Sequence, residues 1–502
     1  MPIVTNLFEL LNVAPPENTA VILPESGIRV SYKGLREQVM TMADSLAAAG
    51  IGRRDRVATC MPNGLPAIVT FLAATLAGTA APLNPGYRRD EFSFYLEDTA
   101  AKVLLCPSHG AEDARQAAEG RVPVYSVEMD EKGLVRLSGV ASRGSIAQTP
   151  RADDVALVLH TSGSTGRPKR VPIRHGNVGA SAENIANTYA LSPSDVTMCV
   201  MPLFHVHGLV ASVLSTFLSG GTVVVPAKFS PLSFWRFARD SGATWYSAVP
   251  TIHQLLVTRA GGKRPEGSEN LRFIRSCSAA LPPEMMERIE STFGVPVLEA
   301  YGMTEATHQM CSNPRPPSAR KAGSVGPGTG VQVGIMDEDG NLVPQGRRGE
   351  VVIQGPNVVK EYENNPGANA KSFTNGWFRT GDQGYLDEGG YLVLTGRIKE
   401  LINRGGEKIA PREIDEVLLA HPSVAEAVAF GVPHATWGEE VAAAVVLRSP
   451  EKEAAILAFC REKLSDFKCP KKVYIVEQIP RTATGKIQRG AVAAAIAAGA
   501  KS

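Results

Sequence analysis

A chain of 502 residues with 44% hydrophobic content is long enough to bury more than one core, as a globular protein of two or more units does. A formal net charge of +2, with no long basic or acidic run, excludes the whole-chain electrostatics of a nucleic-acid binder. The cysteines, Cys60, Cys106, Cys199, Cys277, Cys311, Cys460 and Cys469, are scattered without a CxxC pair, so no disulfide framework is expected and a reducing compartment is.

The N-terminal stretch "MPIVTNLFELLNVAPPEN" lacks the basic start of a cleaved signal, and the terminal "AGAKS" is not a peroxisomal address, which points to the cytoplasm. From Ser31 to about Gly355, helical stretches such as "YKGLREQVMTMADSLAAAG" alternate with short apolar runs such as "RVATC", "KVLLCP", "TVVVP" and "PVLEA". That alternation predicts α/β layers with largely parallel sheets. The uncharged run "GLPAIVTFLAATLAGTAAPLN" from Gly64 approaches membrane-spanning length, but its prolines, glycines and threonines predict a buried helix followed by a strand. Further on, "DVALVLH" predicts a buried strand running into "TSGSTGRPK". Between Val331 and Val359, strand-like runs separated by "DEDGN" and "QGRRG" predict a β meander. Composition shifts again near Arg397, where charge and glycine rise and a new β and α pattern begins. The expected fold class is α/β: a large N-terminal domain of layered α/β sheets plus a β subdomain, residues 1–398, and a small C-terminal α+β domain, residues 399–502.

A loop of Gly, Ser and Thr lets backbone N–H groups and hydroxyls converge on phosphate oxygens, because small side chains permit close approach and positive φ angles. Taken alone, "TSGSTG" reads as a phosphate cradle or as a plain surface linker. It is not a Walker loop, since the spacing of Gly163, Gly166 and Lys169 breaks GxxxxGK and Arg170 follows the lysine. Nor is it a dinucleotide fingerprint, because "GSTGRP" breaks GxGxxG and Pro168 interrupts the helix start. Four more motifs follow in order: "YGMTEATH" from Tyr301, "GWFRTGD" from Gly376, "GRIKELINRGGEKI" from Gly396 and "TATGKIQR" from Thr482. With the loop, they resemble the adenylate-forming superfamily of acyl-CoA synthetases, adenylation domains and beetle luciferases, from Val158 to Arg489. Within it, "PLFHVHGL", "ATWYSAVPTIHQLL", "LRFIRSCSAALPP" and "VLEAYGMTEATH" are similar to the oxalate:CoA ligases.

The resemblance implies an enzyme that activates a carboxylate with ATP and Mg²⁺, releases pyrophosphate, and passes the acyl group to CoA. By it, Thr161, Ser162, Gly163, Ser164, Thr165, Gly166 and Lys169 hold phosphates, and Thr165 with Glu305 holds the metal. One carboxylate plus phosphates and water suits Mg²⁺. Tyr301 would stack on adenine and Thr304 would bond the α-phosphate, with Ser278, Ala279, Ala280, Glu299, Ala300 and Gly302 completing the nucleotide site. Asp382 can accept from both ribose hydroxyls, and Arg397 adds a contact. Lys486 is the implied catalytic lysine, bridging carboxylate and α-phosphate as charge shifts, and His205 joins the catalytic candidates. Lys399 falls at the implied hinge of a small domain that turns to present Arg404, Gly405 and Gly406 to CoA. The nearby Lys408, Arg412, Lys468, Lys471 and Lys472 are CoA-phosphate candidates or solvated charges.

A small dianion needs hydrogen-bond donors near the carboxylate end of the pocket, whereas a long-chain acid needs an apolar tunnel. The candidate donors are His207, His253, His308, Arg275 and Ser276. His205 and His207 share a face if extended, but no carboxylate or cysteine follows at zinc-ligand spacing. Related malonate ligases carry Arg before the "YGMTE" tyrosine, and here that residue is Ala300, which favours oxalate over malonate. Expected partners are a small carboxylate, ATP and CoA, with neither nucleic acid nor membrane, in a monomer or small homo-oligomer. The alternatives are a ligase for another small acid, a carrier-protein adenylation module, or a binder without chemistry.

Overall fold

The computed structural model describes residues 5–140, 147–161, 168–482 and 487–499. The alternating apolar runs build two large sheets. One orders its strands His308–Ser312, Val297–Met303, Phe273–Ser276, Trp245–Ala248, Val196–Cys199, Thr222–Val224, Thr19–Leu23 and Ile28–Ser31. Its interior pairs are parallel and its two edge pairs antiparallel. The other orders Val135–Ser138, Val124–Met129, Ala101–Pro107, Arg56–Thr59, Thr79–Pro82, Val155–Thr161 and Lys169–Arg174, and is likewise antiparallel only at its two edges.

The helices Tyr32–Ala48, Leu65–Ala77 and His175–Tyr189 lie in one core with residues of both sheets, such as Val57 and Val103 on one side and Trp245 and Phe273 on the other. A second core packs Phe234–Ser241, Pro250–Ala260 and Pro283–Phe293 on the far face of the first sheet, and another packs Arg89–Asp98 and Glu112–Ala118 on the far face of the second. The result is five layers, helix–sheet–helix–sheet–helix. The uncharged run from Gly64 folds as the buried helix Leu65–Ala77 followed by the strand Thr79–Pro82. Among the described residues no helix is long and apolar enough to cross a membrane.

The β meander is larger than its sequence pattern suggests. Gln332–Met336 and Gly349–Gln354 are joined by Phe373–Thr374, Trp377–Leu386 and Leu392–Arg397 in one antiparallel sheet. After the short turn Ile398–Glu400, the chain builds a separate sheet of Glu407–Ile409, Ile402–Arg404, Gly438–Leu447, Val424–His434 and Lys472–Ile475, with cores on both faces.

Candidate active site

The Gly/Ser/Thr loop joins the paired strands Val155–Thr161 and Lys169–Arg174, so its ends are fixed at the edge of a sheet. Ser162, Gly163, Ser164, Thr165 and Gly166 lie outside the described residues, as does Lys486. Beneath the hairpin, Asp98 meets His160 Nε2 at 3.0 Å and Arg170 Nε at 3.5 Å, while Glu363 pairs with Arg170 at 3.6 Å and with Arg56. These charges brace both arms of the hairpin, and they also tie the segment around Glu363 to it.

That tie brings in Tyr362, which no motif singled out. Its backbone is bracketed by Asn369, whose Oδ1 accepts from Tyr362 N at 2.7 Å and whose Nδ2 donates to Tyr362 O at 2.9 Å. The Tyr362 hydroxyl donates to Glu305 Oε1 at 2.7 Å, and Lys169 Nζ sits 4.3 Å from the ring centroid. The tyrosine thus stands between an ammonium and a carboxylate that make no direct ion pair. Burial lowers the pKa of Lys169, with Glu305 opposing and nearby Lys399 adding to that shift.

Glu305 is buried and Thr304 half-buried in the short turn Thr304–Ala306, at the mouth of the antiparallel pair Val297–Met303 and His308–Ser312. Gly302 is obligatory there, because a Cβ would lie 2.0 Å from the His308 carbonyl oxygen. Thr307 and His308 hold positive φ of 54° and 121°. Ser181 Oγ donates to Thr307 O at 3.0 Å, Thr307 Oγ1 to Asn357 O at 2.7 Å, and Asn357 Nδ2 to the carbonyls of Ala306 and Gln309 at 2.9 and 3.1 Å. Ser278 is a third strained residue, at φ 71°. Strain held by surrounding bonds is what a positioned site requires.

His207 opens a π-helix, His207–Leu214, a geometry enriched at functional sites. Its Nδ1 is 3.0 Å from Ser278 Oγ, its Nε2 is 2.6 Å from Ser247 Oγ, and its ring stacks on His308 at 5.0 Å. The structure therefore gathers His207, Ser278 and His308, with His205 half-buried beside them and its Nδ1 accepting from His207 N at 3.2 Å. It does not bring His253 there. Ser247 and Tyr246 are adjacent on one strand and face opposite sides of the sheet; His253 bonds Tyr246 on the far side at 3.2 Å, where complete burial depresses its pKa to about 3. Arg275 lies behind His207, with its N–H groups on Tyr189, Gln309 and Ser247. Ser276 is fully buried at the strand end.

Among the residues expected at the nucleotide, Asp382 accepts from the Tyr301 hydroxyl and pairs with Arg397 Nε at 3.1 Å. Glu299 accepts from Leu281 N at 3.1 Å beneath the segment that carries Ser278, Ala279 and Ala280, and burial raises its pKa to about 7. Ala300 and Gly302 flank Tyr301 on the same strand. Gly405 and Gly406, at φ 61° and 94°, form the turn between Ile402–Arg404 and Glu407–Ile409. The cationic candidates of the small domain are all engaged: Arg404 pairs with Glu440, Lys408 with Glu338, Arg412 with Glu416, Lys468 with Glu413, Lys471 with Asp466 and Lys472 with Glu453.

A buried carboxylate steadied by one hydroxyl, beside a half-buried threonine and a lysine, suits a hard cation that keeps most of its ligands from phosphate and water. Among the described residues no cluster of three His, Cys, Asp or Glu forms a protein-only metal cage.

Comparison with known proteins fits this geometry. Residues 9–363 match the AMP-binding enzyme family and residues 413–486 its C-terminal domain. The probable CoA ligase CCL9 of Humulus lupulus is 49% identical over 94% of this chain and 92% of its own. The oxalate–CoA ligase of Saccharomyces cerevisiae is 46% identical over 95% and 94%. Among solved structures, ATP-bound MatB from Rhodopseudomonas palustris superposes with TM-score 0.90 at 32% identity over 98% of both chains, and its apo form with 0.77 at 31% identity and the same coverage. The Bacillus subtilis o-succinylbenzoate CoA synthetase bound to ATP and magnesium superposes with TM-score 0.85 at 31% identity over 97% and 98%. The chain belongs to the AMP-binding enzyme family and is an AMP-forming acyl-CoA ligase.

Proposed function

We propose that this ligase activates oxalate through an oxalyl-adenylate and transfers the oxalyl group to CoA. The observation that carries the choice of acid is the stacked pair His207 and His308 with Ser278 at hydrogen-bond distance, on strained backbone beside Thr304 and Glu305. The second carboxylate of oxalate, bonded directly to the reacting one, can accept from these donors; an alkyl tail would strand them unpaired.

In the first half-reaction an oxalate oxygen attacks the α-phosphorus, and the α–β bridging bond breaks as pyrophosphate leaves. Mg²⁺, when bound at Glu305, neutralises phosphate charge. Lys169 and the loop from Thr161 to Gly166 hold the phosphates, Thr304 bonds the α-phosphate, and Asp382 with Arg397 fixes the ribose. Lys486 stabilises the charge that develops between carboxylate and α-phosphate. In the second, the CoA sulfur attacks the activated carbonyl carbon and AMP leaves. The closer superposition on ATP-bound than on apo MatB supports assigning this structure to the adenylation half of the cycle. The large domain of 1–398 and the small one of 399–502 then reorient about Lys399, bringing Arg404, Gly405 and Gly406 toward CoA.

Purified protein with ATP, Mg²⁺ and CoA, offered oxalate, malonate, acetate and coumarate in turn, tests the reading. Oxalate should give the highest kcat/KM, with equal amounts of AMP and oxalyl-CoA. A higher kcat/KM for any other acid refutes the oxalate assignment.

A further inference from the structure

Arg275 is, after Trp245, the largest fully buried side chain among those described, with 0% exposure. A guanidinium does not shed its proton in a protein, so its charge is fixed inside the fold. Buried charges are ordinarily paired with a carboxylate, because leaving one uncompensated is costly. Here, among the described residues, no carboxylate pairs with the guanidinium, which meets the Tyr189 hydroxyl at 2.9 Å from Nε, Gln309 Oε1 at 3.0 Å from Nη2, Ser247 Oγ at 2.9 Å from Nη1, His207 Nε2 at 3.4 Å from Nη1, and the Cys277 side chain. The placement follows from register, since Ser247 and Arg275 are partners on adjacent parallel strands.

The directions of these bonds are determined by the cation. Ser247 Oγ accepts from Arg275 Nη1, which turns its own hydrogen toward His207 Nε2, 2.6 Å away. An N–H at that ring nitrogen would face the Arg275 donor, so Nε2 carries the lone pair and the proton of neutral His207 resides on Nδ1. Nδ1 then donates to Ser278 Oγ at 3.0 Å, leaving the Ser278 hydrogen to donate onward from a half-buried position. Every donor in the chain from Arg275 through Ser247 and His207 to Ser278 points the same way, out of the core.

We propose that Arg275 is the specificity-determining positioning residue of this ligase: an unneutralised guanidinium that fixes the His207 tautomer through Ser247 and selects acids bearing a second carboxylate. The counter-charge missing from the fold is supplied by the dianionic substrate. This rests on the reading of the His207, Ser278 and His308 site as the acid pocket.

The test compares oxalate with oxamate, a monoanion of the same shape, in pyrophosphate release by wild type, Arg275→Met, Arg275→Lys and Ser247→Ala. The wild-type preference for oxalate tests the pocket reading; the change in that preference tests Arg275. Arg275→Met should raise KM for oxalate at least about tenfold more than KM for oxamate, with the ATP dissociation constant held within about twofold. Arg275→Lys should restore most of the preference. Equal losses for both acids, or a preference unchanged in Arg275→Met, overturns the proposal. If Arg275→Met fails to fold, Ser247→Ala decides: it should shrink the oxalate-to-oxamate preference about threefold or more, and an unchanged ratio overturns the proposal.

Discussion

Tyr362→Phe removes one oxygen atom from the proposed phosphate end of the site and leaves the ring under Lys169 in place. The lost bond spans 2.7 Å to Glu305, and both side chains are buried, at 3% and 5% exposure, so solvent does not screen it. A hydrogen bond to a charged group in such a place contributes about 1.5–3 kcal/mol, roughly 10- to 150-fold in a binding constant. Without the hydroxyl, the Glu305 carboxylate is released to turn toward the ammonium of Lys169, which lies 4.3 Å from the ring centroid. A direct pair would occupy the two charges proposed above to engage the magnesium nucleotide. Calorimetric titration of ATP with Mg²⁺, without acid or CoA so that nothing turns over, should show affinity reduced at least about tenfold. A dissociation constant within about twofold of wild type would refute the role of the hydroxyl, whatever happened to turnover.

Glu299 has its folded pKa raised to about 7 by burial, so the folded state holds a proton that the unfolded chain has already released. Stability should therefore fall as pH rises from about 4.5 to about 7 and level off above; Glu299→Gln should remove this slope and add on the order of 3 kcal/mol at pH 8, read from denaturant midpoints. Gly302→Ala forces a methyl group to 2.0 Å from the His308 carbonyl, and should lower the melting temperature and cost about 1–3 kcal/mol or more in addition to acid binding. Lys486→Ala should slow pyrophosphate release about 100-fold while sparing thioester formation from synthetic oxalyl-adenylate, and Lys399→Pro should do the reverse. Equal loss of both half-reactions in Lys486→Ala would sink the two-step assignment of that lysine.

The layered core was legible because its signals are local. "YKGLREQVMTMADSLAAAG" repeats apolar residues at helical spacing and becomes Tyr32–Ala48, while the short Val-rich runs become interior strands. The sequence pattern of the meander stops short because Trp377–Leu386, although it alternates in burial, fills inward positions with Thr380, Asp382 and Gly384, which leave no apolar period to detect. Motif order singled out Thr304 and Glu305, which share the short turn Thr304–Ala306, and Asp382, which lies within the strand Trp377–Leu386. The three pocket histidine candidates were equivalent in sequence; only the sheet separates His207 and His308 from His253. Tyr362 lies 57 residues from its partner Glu305, and no periodicity links residues that meet across a fold. Arg275 was visible as a donor, but its depth behind His207 depends on strand order.

The small domain's paired cations have a consequence for traffic at the site. In the CoA role proposed above, a polyanion must leave as readily as it arrives, and six unpaired positive charges would hold it, along with any stray nucleotide. With each cation already facing a carboxylate, from Arg404 with Glu440 to Lys472 with Glu453, the long-range field largely cancels and grip is confined to close contact. Under that proposal, added salt should change the release of CoA and its thioester little, as from a landing that does not become a trap.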